Sequence, residues 1–189
     1  MARLYGENED INSDKVKDFL EVGCGIGRWA EALYDKCDYF LGIDYSENLI
    51  EIANNSNEYD NCKFQVMSAL DIKLDELLIE PPFDVIIISG VLTYINDEDL
   101  PVLMGELNKV GSEDKKLFIM EPVSCMDVRL TLKDFYSDGL EADYNAIYRT
   151  PKEYLDAFED LNCDKIFSDD IFEDLSDHTE TKYMYFVIE

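Results

Sequence analysis

The chain has 189 residues, 43 of them acidic and 16 basic, for a formal charge of −27 at neutral pH. That length suits one domain spanning 1–189, and a hydrophobic fraction of 47% supplies a full core, which excludes a disordered chain. A surface this negative repels phosphate backbones and anionic headgroups, so no nucleic acid and no membrane surface is expected as a partner, while a neutral or cationic ligand is tolerated.

The opening, Met1–Asn12, has no basic segment followed by an apolar one and predicts no secretory signal. The first strand is predicted at Phe19–Val22, followed by a helix with Ile26, Trp29, Ala30 and Leu33 on one face. A second strand at Tyr39–Ile43 leads to a helix with Leu49, Ile50, Ile52 and Ala53 together and Ser46 as N-cap. Strands follow at Lys63–Met67 and Phe83–Ile88. The latter is the most apolar run, far below the ~20 residues of a membrane-spanning helix and suited to a central strand buried on both faces. Leu100, Leu103, Met104 and Leu107 keep helical spacing, and Pro101 places that helix start near Asp97 to Asp99.

After a strand at Leu117–Met120, residues 122–150 form a long excursion rich in Tyr, Asp and Leu, of the kind that builds binding walls. Thr150-Pro151-Lys152-Glu153 then combines an N-cap, a proline at the first helical position and a capping-box Glu. Tyr154, Leu155, Phe158 and Leu161 form the apolar face of the helix it opens. Strands at Asp164–Phe167 and Tyr183–Ile188 finish the chain. Between Glu153 and Glu180, 11 acidic residues accompany one basic residue, Lys165, which reads as a solvated face. Short β-rich runs alternating with amphipathic stretches predict an α/β fold, a parallel sheet covered by helices. Five scattered cysteines with no CxxC pair predict neither zinc nor a disulfide framework, but reduced thiols in a cytoplasmic protein.

The informative segment is Phe19 to Arg28, FLEVGCGIGR, an apolar strand running through Gly23, Gly25 and Gly27 into a helix. Glycines belong there when the backbone must turn sharply and approach a ligand too closely for a Cβ. The second strand ends in Asp44, 21 residues after Gly23, where an acid accepts hydrogen bonds from ribose hydroxyls. The spacing is G-x-G-x-G, with Arg28 where a dinucleotide fingerprint has its third glycine, which disfavours an NAD-dependent oxidoreductase. Glu21, just before the turn, repels a pyrophosphate and suits the ammonium of an amino-acid moiety.

These segments resemble the class I S-adenosylmethionine-dependent methyltransferases. FLEVGCGIGRWAEAL matches the family's first motif and LGIDYSENLIEIA its second, while PPFDVIIISGVLTYINDEDL and KLFIMEPVS resemble its fourth- and fifth-strand regions. The resemblance implies a Rossmann-like, doubly wound, mostly parallel seven-stranded sheet with an antiparallel last strand. It also implies S-adenosylmethionine as cofactor and a small-molecule O or N acceptor, neutral or cationic. Gly23, Gly25 and Gly27 would wrap the methionine and ribose, with Glu21 near the amino group, Asp44 on the ribose and Tyr45 beside the adenine. Family members commonly carry an acid toward the adenine amino group where this chain has Ser68, a departure that leaves the role to Ser68 or Asp71. Ala69 and Leu70 would line the adenine pocket, and Ser89 with Gly90 would lie beside the methionine tail.

On the acceptor side the resemblance places Tyr94 near the transferred methyl, with Tyr148 and Arg149 contributed by the excursion. Arg149 reads equally as an acceptor-binding cation or a surface ion-pair partner. Trp29 and Cys24 read as packing residues, and His178, the sole histidine, as a surface residue of an acidic loop rather than a base. Two alternatives accompany this reading: a non-catalytic S-adenosylmethionine-binding or partner module of the same fold, and a protein-methylating enzyme.

Overall fold

The computed structural model describes residues 17–137, 142–159, 161, 166–170 and 180–189. The Met1–Asn12 segment, Cys163, the Asp164–Lys165 start of one predicted strand and His178 lie outside the described residues. A seven-stranded sheet organises the rest. Its strands are β1 (Asp18–Val22), β2 (Tyr39–Asp44), β3 (Cys62–Val66), β4 (Phe83–Ser89), β5 (Gly111–Ser124), β8 (Ile166–Asp170) and β9 (Thr181–Ile188), in the order β3-β2-β1-β4-β5-β9-β8. β1 to β5 pair in parallel, and β9 runs antiparallel to both β5 and β8. The expected mostly parallel sheet with an antiparallel last strand is therefore observed.

Four helices complete the layers: α1 (Arg28–Leu33), α2 (Glu47–Ser56), α3 (Leu100–Val110) and α4 (Pro151–Phe158). Strand side chains alternate between two buried clusters, as pleating requires. Leu20, Val22, Ile86, Ile88 and Phe186 pack with α3 and α4, while Phe19, Phe40, Val85 and Ile87 pack with Ala30, Leu33, Ile50 and Ala53 of α1 and α2. Ser46 caps α2, accepting from the Leu49 amide, and Pro101 sits in the first turn of α3 as its missing donor demands. Thr150 and Glu153 form the complete capping box of α4. Trp29 meets Phe118 edge-on at 5.7 Å, a packing role as read. Ile26 and Ile52 differ from the helical-face reading and are exposed: Ile26 lies in the turn before α1, and Ile50 with Ala53 sets the buried face of α2.

The excursion after the fifth strand is shorter than 122–150. β5 continues pairing with β9 as far as Ser124 opposite Thr181, so the departure begins after Ser124. Its body is an antiparallel hairpin of β6 (Leu130–Ser137) and β7 (Ala142–Tyr148), separate from the main sheet. No helix among the described residues is long and apolar enough to cross a membrane.

Candidate functional site

The strand order reverses direction between β1 and β4, and crevices outside the carboxyl ends of parallel strands at such a point are where open α/β sheets bind ligands. The turn from β1 to α1 occupies that position. Gly23 and Cys24 both donate to the Ile43 carbonyl, at 2.8 and 3.0 Å, which presses the turn onto the end of β2. Gly23, Gly25 and Gly27 all have positive φ. At Gly23 a Cβ would stand 2.3 Å from Val91 Cγ2, so the loop after β4 packs directly on this residue. Gly25 (φ +53) has nothing within 4 Å of the place a Cβ would take, leaving open space above exposed backbone.

Asp44 ties the turn together. Its Oδ2 accepts the Gly25 amide and its Oδ1 the Ser46 amide, each at 2.9 Å, and the residue is buried. Each carboxylate oxygen keeps a further lone pair for a hydroxyl donor. Glu21 lies below, only 3% exposed, and its Oε2 has no hydrogen-bond partner among the described residues. Burial first, and the Asp44 charge second, push its carboxyl well above the ordinary carboxylate range. A buried acceptor left open beside a glycine turn is half of an interaction whose other half is a cation or a donor. That observation, with the open space over Gly25, fits the amino-acid end and ribose of S-adenosylmethionine.

The remaining predicted residues are distributed around this centre. Tyr45 is 83% exposed in the turn between β2 and α2. Ser68 is exposed after β3, where its Oγ accepts the Leu70 amide at 3.2 Å, and Ala69 and Leu70 rest half-buried against the core. Ser89 ends β4, and Gly90 (φ +67) also faces open space. Ser68, Ser89 and the glycine turn thus all belong to the carboxyl edge of the sheet.

On the other side of the crevice, a 3₁₀ turn at Leu92–Tyr94 carries Tyr94, 58% exposed. Its hydroxyl lies 3.3 Å from that of Tyr144, which lies 3.1 Å from that of Tyr148, so a chain of three phenols links the turn to β7. Burial and its phenolic neighbours push the Tyr144 hydroxyl pKa upward, keeping it protonated.

Arg149 corrects the sequence reading. It does form an ion pair, with Asp97, but at 1% exposure it is a buried partner and not a surface one, and its guanidinium is engaged within the chain. Its Nη1 donates to the Leu92 carbonyl (2.9 Å), its Nη2 to the Ile95 carbonyl (2.7 Å) and to Asp97 (2.8 Å), and its Nε to Asp97 (3.2 Å). The sequence reading missed Glu121. This fully buried carboxylate accepts Val91 and Leu92 amides at 2.8 and 2.9 Å and the Thr93 amide at 3.3 Å. The available signal was an acid closing the apolar run of β5. Asp97, also missed, joins Arg149 to Arg129, whose guanidinium reaches Glu153 of α4 at 2.6 Å.

Residues 19–113, half of the chain, match the family model described as "Methyltransferase domain". A phosphoethanolamine N-methyltransferase 1 of Triticum aestivum is 27% identical over 149 residues, 77% of this chain and 28% of that protein. A malonyl-[acyl-carrier protein] O-methyltransferase of Acetivibrio thermocellus is 30% identical over 112 residues, 58% of this chain and 36% of its own length. The chain thus spans about a third or less of the length of these curated relatives. The crystal structure of a methyltransferase from Methanosarcina mazei superposes with a TM-score of 0.71 at 16% identity, covering 92% of each chain, a likeness of fold.

Proposed function

The chain belongs to the class I S-adenosylmethionine-dependent methyltransferase family, and from that premise we propose that it transfers a methyl group to the nitrogen of a small amine. The observation that carries the reading is the buried, unpartnered Glu21 oxygen beneath a glycine turn pinned by Asp44. When bound, S-adenosylmethionine supplies an electrophilic methyl on a cationic sulfur with a neutral thioether as leaving group. Glu21 would hold its ammonium, Asp44 its ribose, and the Gly23–Gly27 turn its close backbone approach. Ser68, Ala69 and Leu70 would border the adenine, with Tyr45 at its edge and Ser89 beside the methionine tail.

The chain's own share of the chemistry is alignment and exclusion of water. Holding an acceptor lone pair in line with a methyl group lowers such a barrier by ~7–11 kcal/mol. The hairpin and the Tyr94–Tyr144–Tyr148 phenols form the acceptor wall in this reading, with hydroxyls that donate to or accept from a polar acceptor. An amine that reaches the site unprotonated needs no general base. The acidic surface and the phosphoethanolamine N-methyltransferases among the relatives favour nitrogen over oxygen.

Titration calorimetry with S-adenosylmethionine on the wild type and Asp44→Ala tests the cofactor half, with affinity expected to fall about tenfold or more as the turn and the ribose lose their acceptor. Unchanged affinity removes Asp44 from the site. Release of S-adenosylhomocysteine over ethanolamine, phosphoethanolamine and matched alcohols tests the acceptor half. Turnover confined to alcohols overturns the amine, and binding without any turnover makes the chain a non-catalytic binding module.

A further inference from the structure

The turn that carries Tyr94 is gripped at both ends by buried charges from different elements. Glu121, projecting from β5, receives the amides of Val91, Leu92 and Thr93 at the start of the turn. Arg149, at the end of β7, donates to the carbonyls of Leu92 and Ile95 at its close. A three-residue 3₁₀ turn has no intrinsic persistence, because nucleating one hydrogen-bonded turn fixes several dihedrals for a single bond. Only two bonds of its own, Tyr94 N to Val91 O (2.9 Å) and Ile95 N to Leu92 O (3.2 Å), support it. The five charge-assisted bonds from Glu121 and Arg149 outnumber and outweigh them. Thr93 adds a tie to the hairpin, its Oγ1 donating to the Ile147 carbonyl at 3.4 Å.

Resting on the methyltransferase reading above, we propose that Glu121 and Arg149 are positioning residues: they clamp the Leu92–Tyr94 turn so that the Tyr94 phenol faces the acceptor, and turnover requires Glu121 in its ionised form. Three amides converge on its two oxygens, and all three are donors. A proton on Oε2 aims a donor at the Thr93 amide, a proton on Oε1 competes with the Val91 and Leu92 amides, and loss of the charge weakens the bonds that remain, so the full three-bond clamp exists only around a carboxylate.

The surroundings place this requirement in a working pH range. Burial pushes the Glu121 carboxyl up, and the three amides and Arg149 pull it back, leaving it at about 7. The groups facing it are Arg149 at the end of β7, Tyr154 of α4 and Tyr183 of β9. Burial pushes both phenols upward, away from neutrality. The clamp is therefore closed above this pH and loosened below it, and the carboxyl whose ionisation closes it is Glu121.

Proton and nitrogen resonances of the Val91, Leu92 and Thr93 amides, followed from pH 5.5 to 8.5 in the full chain saturated with S-adenosylhomocysteine, give the test. The expected result is a joint shift of all three with one midpoint near 7, and the same midpoint in the Tyr94 ring signals. Turnover of S-adenosylmethionine with phosphoethanolamine should rise through that midpoint, with KM for S-adenosylmethionine changing less than twofold. Glu121→Gln should flatten the titration and lower kcat about tenfold or more, with Glu121→Asp restoring part of both. Amides that stay still, or amides that titrate while Tyr94 does not, overturn the clamp, and the wild-type titration decides this even if the variants fail to fold. A wild type that does not bind S-adenosylhomocysteine overturns the methyltransferase reading instead, and the apo-protein titration still judges the clamp.

Discussion

Glu21 is held in a state that the cofactor's charge would change. Its pKa is raised in the folded chain by burial and by the Asp44 charge, so the folded state takes up a proton that the unfolded state releases. Stability from this group is full below the unfolded carboxylate pKa and is lost as pH rises through the folded one. A bound ammonium favours the carboxylate and expels that proton. Calorimetry across pH 5 to 8 in buffers of different ionisation heat should show proton release on S-adenosylmethionine binding over part of that range, and the release should vanish in Glu21→Gln. Equal heats in all buffers for the wild type would detach Glu21 from the ammonium. Glu21 and Asp44 were legible as candidates in the sequence because their distances from the strand–glycine turn place both at the carboxyl end of neighbouring strands, where the structure has them. Glu121 was not, because its partners are backbone amides, which have no letter in a sequence. Arg149 was ambiguous for the same reason: two of its partners are carbonyls.

Among the elements, α4 has the most fully specified start. Thr150 Oγ1 accepts the Glu153 amide at 3.2 Å, and Glu153 Oε2 accepts the Thr150 amide at 2.9 Å. Replacing Thr150 by Ala should cost ~1 kcal/mol, a fall in melting temperature of about 2–4 °C for a domain of this size. Thermal unfolding checks it, and a loss much above that range would mean the cap also supports the Arg129–Glu153 pair beside it. This helix was readable because its apolar positions repeat at the helical period, and β1, β2 and β4 because short apolar runs bounded by turn residues mark strands buried on both faces. The β6–β7 hairpin was not. From Thr131 to Tyr136 only Leu132 is withdrawn from solvent, so no alternation marks the strand. What shapes it are the Arg129, Asp97, Arg149 and Glu153 contacts at its base, which join positions up to 52 residues apart.

For the whole molecule, composition foretold an acidic protein, the alternation of runs foretold a sheet and the family resemblance its antiparallel last strand, but strand order depends on crossovers and came only from the structure. A charge of −27 on 189 residues is self-repelling. Raising salt from 0.05 to 0.5 M shortens the screening length severalfold, from above ~10 Å to a few Å, and should raise the melting temperature by several degrees. A flat response would mean that the acids are already balanced by local pairing. The hairpin's attachment has a different consequence. The chain leaves β5 at Ser124 and comes back at Arg149, whose carbonyl accepts the Ser124 amide at 2.9 Å, so exit and re-entry stand one hydrogen bond apart. To the strands, everything between is a closed detour whose length costs little, since loop-closure entropy grows only with the logarithm of length. The described residues between Ser124 and Arg149 can therefore be exchanged as one segment without disturbing the sheet, and such an exchange tests whether the proposed acceptor wall sets which molecule is methylated.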